Sequence, residues 1–131
     1  MEDFIIREIN KIGKIIEAIL VKIGVLKKSG DMESLRSTVK TELAEKLDMD
    51  IDVLAGEGDL VGILIKEYGF NDEDLGKFAE LLFDFTEAAP DKAAARKYIP
   101  AIAGIYKYLR ENTSYFPFNG YYILKELDKY V

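Results

Sequence analysis

The densest chemical potential in this 131-residue sequence lies between residues 48 and 59. Asp48, Asp50 and Asp52 alternate with Met49 and Ile51, and Glu57 and Asp59 follow. Counted from Asp48, carboxylates fall at positions 1, 3, 5 and 12 of a connector between two helical patterns. An EF-hand uses that order to converge oxygen ligands on calcium. Its sixth position is a glycine that makes a sharp turn. Here it is Val53, whose branched Cβ resists left-handed geometry, and the eighth position is Ala55. The segment reads instead as a solvated acidic connector whose Asp residues cap short turns. No metal is expected at Asp48, Asp50, Asp52 and Asp59.

Other reaction chemistries have little to work with. The chain has no His, no Cys and no Trp. Zinc frameworks of Cys and His, Ser-His-Asp and Cys-His nucleophiles, and the Glu-x-x-His di-iron site are therefore excluded. Gly56-x-Gly58 precedes a helix, but no strand comes before it and no Gly-Lys-Ser/Thr follows, so it is turn punctuation. None of the 24 Asp/Glu interrupts an apolar run of the kind that raises a carboxyl pKa for acid–base work. Neither an enzyme nor a cofactor is expected.

Aromatic residues are the second anomaly. Nine of fifteen Phe/Tyr lie between residues 98 and 131: Tyr98, Tyr106, Tyr108, Tyr115, Phe116, Phe118, Tyr121, Tyr122 and Tyr130. At 100° per residue Tyr98 faces the core, Tyr106 and Tyr108 straddle the inner face of their helix, and Tyr121 and Tyr122 fall well off theirs. Tyrosines at flanking positions combine apolar area with a polar tip and suit interfaces. Tyr106, Tyr108, Tyr121 and Tyr122 are the candidate contact residues for a protein, a peptide or a second copy.

Charge is unevenly distributed within a net of −6. Residues 1–28 hold six Lys/Arg against four Asp/Glu, residues 29–91 five against seventeen, and residues 92–131 seven against three. No concentrated basic stripe emerges, so no nucleic-acid partner is expected. Basic end segments folding back against an acidic middle account for the pattern, and an acidic face for a basic partner is the alternative.

These residues are positioned by helices, since the 3.6-residue period dominates and no strand alternation appears. The first helix is expected from Asp3 to Lys28, with Ile5, Ile9, Ile12, Ile16, Ile19, Leu20 and Ile23 on one side, and Ser29-Gly30 as its stop. Of these, Ile9, Ile12, Ile16 and Ile23 are expected in the core. A second runs from Met32 to Leu47, capped by Asp31, with the narrow stripe Met32, Leu35, Val39, Leu43 and Leu47 of an outer helix. A short turn around Ile51–Leu54 and a third helix over Asp59–Tyr68 follow. The fourth, Asp72–Glu87, is capped by Asn71. The fifth, Lys92–Glu111, is expected to kink at Pro100. The sixth spans Pro117–Tyr130. Charges at Arg7, Glu8, Lys11, Lys14, Glu17 and Lys22 break the first segment well short of the ~18 apolar residues of a membrane span. They also interrupt any signal-peptide core. A cytoplasmic location is expected, with peripheral membrane binding through the amphipathic first helix as the alternative function.

Two segments carry a resemblance. Asp3-Phe4-Ile5-Ile6-Arg7-Glu8-Ile9 resembles the start of a family of small, uncharacterised bacterial helical proteins of tetratricopeptide-repeat-like shape. Tyr106 to Ser114, followed by Phe116-Pro117-Phe118, resembles that family's final hairpin. Together they cover about 20 residues and imply a fold but no chemistry. A repeat of ~34 residues is not supported, because Phe78–Leu82 aligns poorly with Asn112–Phe116. The expectation is one all-α domain over 1–131. It has about six helices stacked as antiparallel hairpins, TPR-like, with a long amphipathic helix over 1–28 and helix hairpins over 71–131. Its expected role is a non-enzymatic interaction module.

Overall fold

The isoleucine stripe of the N-terminal segment forms one long helix, α1 (Glu2–Ser29), in the computed structural model. The structure describes the backbone of residues 2–130 and the side chains of residues 11–130. Ile5 and Ile9 therefore lie outside the described side chains. Ile16, Ile19 and Ile23 are fully buried, and Ile12 and Leu20 are half-buried against the same core. Burial of each isoleucine contributes about 1.5–3 kcal/mol. Gly30, at φ +79°, takes the left-handed conformation that ends this helix.

Seven further helices follow: α2 (Met32–Leu47), α3 (Ile51–Ala55), α4 (Leu60–Lys66), α5 (Asp72–Glu87), α6 (Lys92–Arg96), α7 (Ile99–Asn112) and α8 (Gly120–Glu126). A 3-10 turn over Leu127–Tyr130 closes the chain. No strand is present among the described residues, and the buried side chains form a single core. The narrow stripe of α2 buries only Leu35, Val39 and Leu43, which leaves that helix on the outside.

Acidic connectors set the helix starts. Asp31 accepts from the Ser34 N–H at 3.1 Å, Asp59 from Gly62 at 3.1 Å and Asp91 from Ala94 at 2.8 Å. Asn71 and Asp74 form a reciprocal capping box at the head of α5, at 2.8 and 3.1 Å. Such caps are each worth roughly 0.5–2 kcal/mol.

Helix α5 is the hub. Leu75, Phe78, Ala79, Leu81, Leu82, Phe83 and Phe85 are all buried, so apolar side chains leave it in several directions. α1, α2, α6, α7 and α8 pack around it, α1 also pairs with α2, and α4 rests on α7.

Two expected helices come out differently. The single kinked helix over Lys92–Glu111 is two helices, with α6 ending at Arg96 and α7 starting at Ile99. Pro100 sits in the first turn of α7, where a missing N–H costs nothing, so the chain breaks before it rather than bending through it. The last helix starts at Gly120 rather than Pro117 and tightens into the 3-10 turn after Glu126. Residues 113–119 serve as a packed loop instead.

Candidate functional site

That loop builds the aromatic end of the molecule. The Thr113 hydroxyl donates to the Leu109 carbonyl at 2.7 Å and accepts from the Tyr115 N–H at 3.1 Å, which closes α7 and turns the chain. Tyr115 and Pro117 then lie directly on α5 at Gly76. A Cβ there would sit 3.1 Å from Tyr115 Cε2 and 2.9 Å from Pro117 Cγ. At Gly120 a Cβ would run into the Phe116 ring. Two glycines thus allow the loop and α8 to close on the core.

Phe116 is the link between inside and outside. Its ring centroid is 5.8 Å from that of buried Tyr106 and 4.6 Å from that of Tyr121. Beyond it Phe118 is fully exposed, while Tyr121 and Tyr122 are 65 % and 59 % exposed. Three large aromatic side chains therefore stand in solvent within five residues, with one of them stacked on a partly buried ring.

The four candidate tyrosines do not form one surface. Tyr121 and Tyr122 are exposed as contact residues need to be. Tyr108 is half-buried and lines a separate groove of about 400 Å3 between the head of α4 and α7, beside Leu60, Val61 and Gly104. Tyr106 is fully buried and belongs to the core, so it is removed from the contact set. The reason is that α7 is covered by α4, α5, α6 and α8, which widens its buried arc beyond Ile102, Ile105 and Leu109. The Tyr106 hydroxyl has no hydrogen-bond partner among the described residues. Burial, with Glu80 nearby, pushes its pKa up.

Glu80, Asp84 and Glu87 form a half-buried acidic stripe on α5. Contrary to the expectation from sequence, Glu80 and Asp84 do sit in an apolar run, between Phe78 and Phe85: burial raises the pKa of Glu80, and Asp84 adds to this while Asn119 and Lys27 offset part of it. Burial likewise raises Asp84, against the opposing pull of Lys27. Lysines from both ends of the chain reach the same helix. Lys27 of α1 meets Asp84 at 3.2 Å, and Lys129 meets Glu87 at 2.6 Å. Lys77 of α5 meets Glu17 of α1 at 2.6 Å, and Lys22 pairs with Glu42. Lys22, Lys27 and Lys129 thus bring the basic end segments onto the acidic middle, while the Lys77–Glu17 pair runs the other way.

The acidic connector is dispersed among three tasks. Asp48 takes a left-handed conformation, φ 52°, and ends α2. Asp50 caps α3 through the N–H groups of Asp52 and Val53 at 2.9 and 3.3 Å. Asp59 caps α4, as above. Asp52 points to a polar cluster instead. It accepts from the Tyr98 hydroxyl at 2.5 Å and pairs with Lys40 and Lys97, each at 3.1 Å. Those donors, Tyr98 foremost, hold its carboxyl far below the ordinary range, while burial and Asp52 push Tyr98 up to about 12. Among the described residues no group of three Asp/Glu converges as metal ligands would.

Arg36 completes this cluster. Its guanidinium lies 4.0 Å above the Phe85 ring and donates to the Tyr98 hydroxyl at 3.3 Å. Sequence reasoning missed Arg36, because 62 residues separate it from Tyr98 and no local pattern joins them. It also passed over Phe118 as a site residue, for which the run Phe116-Pro117-Phe118 beside Tyr121-Tyr122 was the available signal.

No protein-family model, curated protein or solved structure matches the chain.

Proposed function

We propose that this protein is a non-enzymatic helical interaction module. It binds a protein, a peptide or a second copy of itself through the surface of Phe118, Tyr121 and Tyr122. The observation that carries this reading is their exposure: Phe118 fully, Tyr121 and Tyr122 each more than half. Aromatic side chains are enriched at interfaces, and tyrosine is among the residues that concentrate binding energy. Tyr121 rests against Phe116 with the rings tilted by 35°, a contact that restricts one contact ring and so lowers the ordering cost of association.

A cytoplasmic location belongs with this reading. The membrane alternative requires the apolar arc of α1 to be free. Burial of Ile16, Ile19 and Ile23 supports its use as core, and no described helix is long and apolar enough to cross a membrane. The testing experiment is truncation of Tyr121 and Tyr122 to Ala, with self-association followed by sedimentation velocity and folding stability by urea titration. Weaker association at unchanged stability supports the reading. Lost stability at unchanged association refutes it.

A further inference from the structure

A second surface lies where the first turn of α2 meets the α5–α6 connection. An open groove of about 700 Å3 runs there between walls of Met32, Ala88, Ala89, Pro90 and Ala94. Its size falls within the ~300–1,000 Å3 of small-molecule sites, and its walls are almost wholly apolar, as such sites are. One cation lines it: half-buried Arg36.

The state of that guanidinium is what distinguishes the groove from a packing gap. The Phe85 ring, 4.0 Å below, and the Tyr98 ring, 5.6 Å away, hold it in one orientation. Of its five donors only Nη2 has a partner among the described residues, the Tyr98 hydroxyl at 3.3 Å. The nearest acid in the cluster, Asp52, is already engaged by Tyr98, Lys40 and Lys97. Arg36 thus lines an apolar groove and carries a guanidinium most of whose donors are unengaged among the described residues. A planar fork of this kind matches a carboxylate through two parallel hydrogen bonds. The charge it takes is limited, because Glu33 also lines the groove and Asp31 lies just before it. Their charges oppose a dianion more than a monoanion.

We propose that this groove binds a free aliphatic monocarboxylate, with the chain against Met32, Ala89 and Pro90 and the carboxylate on Arg36. The site is independent of the aromatic surface around Tyr121, so either can fail without the other.

The experiment titrates the full chain with octanoate, 1-octanol and octyl phosphate, read by amide chemical shifts and by calorimetry. The expected result is saturable one-to-one binding of octanoate that shifts the amides of Ala88, Ala89 and Ala94. 1-Octanol and octyl phosphate should each bind about tenfold more weakly or worse, as the loss of a charge-assisted pair or the added repulsion requires. Arg36→Gln should weaken octanoate by the same factor and leave 1-octanol unchanged. Ala89→Phe fills the groove while keeping Arg36 and should abolish binding of both, which keeps the test decisive if Arg36→Gln loosens the fold. No octanoate binding, equal binding of octanoate and 1-octanol, preference for octyl phosphate, or shifts confined to other residues would each overturn the assignment.

Discussion

Replacing Tyr106 by Phe removes one atom, and the structure predicts that the protein gains from it. The Tyr106 side chain is fully buried and its hydroxyl has no partner among the described residues. A buried polar group left unpaired costs roughly 1–3 kcal/mol in lost hydration. The ring itself is retained in the variant, so its contact with Phe116 at 5.8 Å and its place in the buried core persist. The small void left by one oxygen takes back part of the gain, which sets the expectation near the lower end, about 1 kcal/mol of added stability. In a domain of this size that corresponds to a rise in Tm of roughly 2–8 °C. Urea titration with an unchanged m-value, together with thermal melts, reads both quantities. Tyr106→Ala supplies the contrast, because it deletes the ring and should cost about 3–5 kcal/mol. A loss of more than about 0.5 kcal/mol in Tyr106→Phe would refute the reasoning, since it would mean that the hydroxyl is hydrogen-bonded after all.

Ile16 is fully buried in α1 against the common core, and Ile16→Asp should destabilise by about 3–5 kcal/mol through an unpaired buried charge, visible as loss of the cooperative melt. Glu80 has its pKa raised by burial, so the folded state holds its proton more tightly than the unfolded state does. Its charged form therefore costs stability at neutral pH, and that cost disappears as the pH falls through the folded pKa. Glu80→Gln should accordingly stabilise near neutral pH and progressively less on acidification, as paired melts at about pH 7 and about pH 4 would record. Asp52 has the opposite sign: its lowered pKa contributes stability above the ordinary carboxyl range that is lost as pH falls toward the folded value, so Asp52→Asn should flatten the acid limb of the stability curve. Calorimetry should detect no stoichiometric calcium at the Asp48–Asp59 connector. A site of micromolar affinity that is lost in Asp50→Ala would contradict the assignment of Asp50 and Asp59 as helix caps.

Much of the fold was legible because its signals are local. The isoleucine spacing of α1, the Asn71 start and Glu87 end of α5, and the left-handed Gly30 each follow from residues within one or two helical turns. Pro100 shows where local reading fails. A proline inside an apolar period is compatible with a kink or a new start, and the chain takes the new start, with Pro100 in the first turn of α7. Tyr106 shows the same limit at the site. Its angle on α7 is known from sequence, but the width of the buried arc depends on how many neighbours cover the helix, and that is a property of the assembled bundle. The Arg36, Tyr98 and Asp52 cluster is invisible for a simpler reason, as its members come from three separate helices or their caps. The exposed tyrosines were readable because the apolar stripe of α8 and the turn after it is narrow, with Ile123 and, in the 3-10 turn, Leu127 as its buried apolar side chains.

The most direct test of the central claim is one paired measurement on the Tyr121→Ala, Tyr122→Ala double variant: the free energy of association and the free energy of unfolding. Both side chains are more than half exposed, so the surface reading predicts association weaker by about 1–3 kcal/mol with folding stability unchanged within about 0.5 kcal/mol. Unfolding stability that drops sharply while the oligomeric state and the pull-down profile stay the same would contradict it, and would assign both tyrosines to the core beside Phe116.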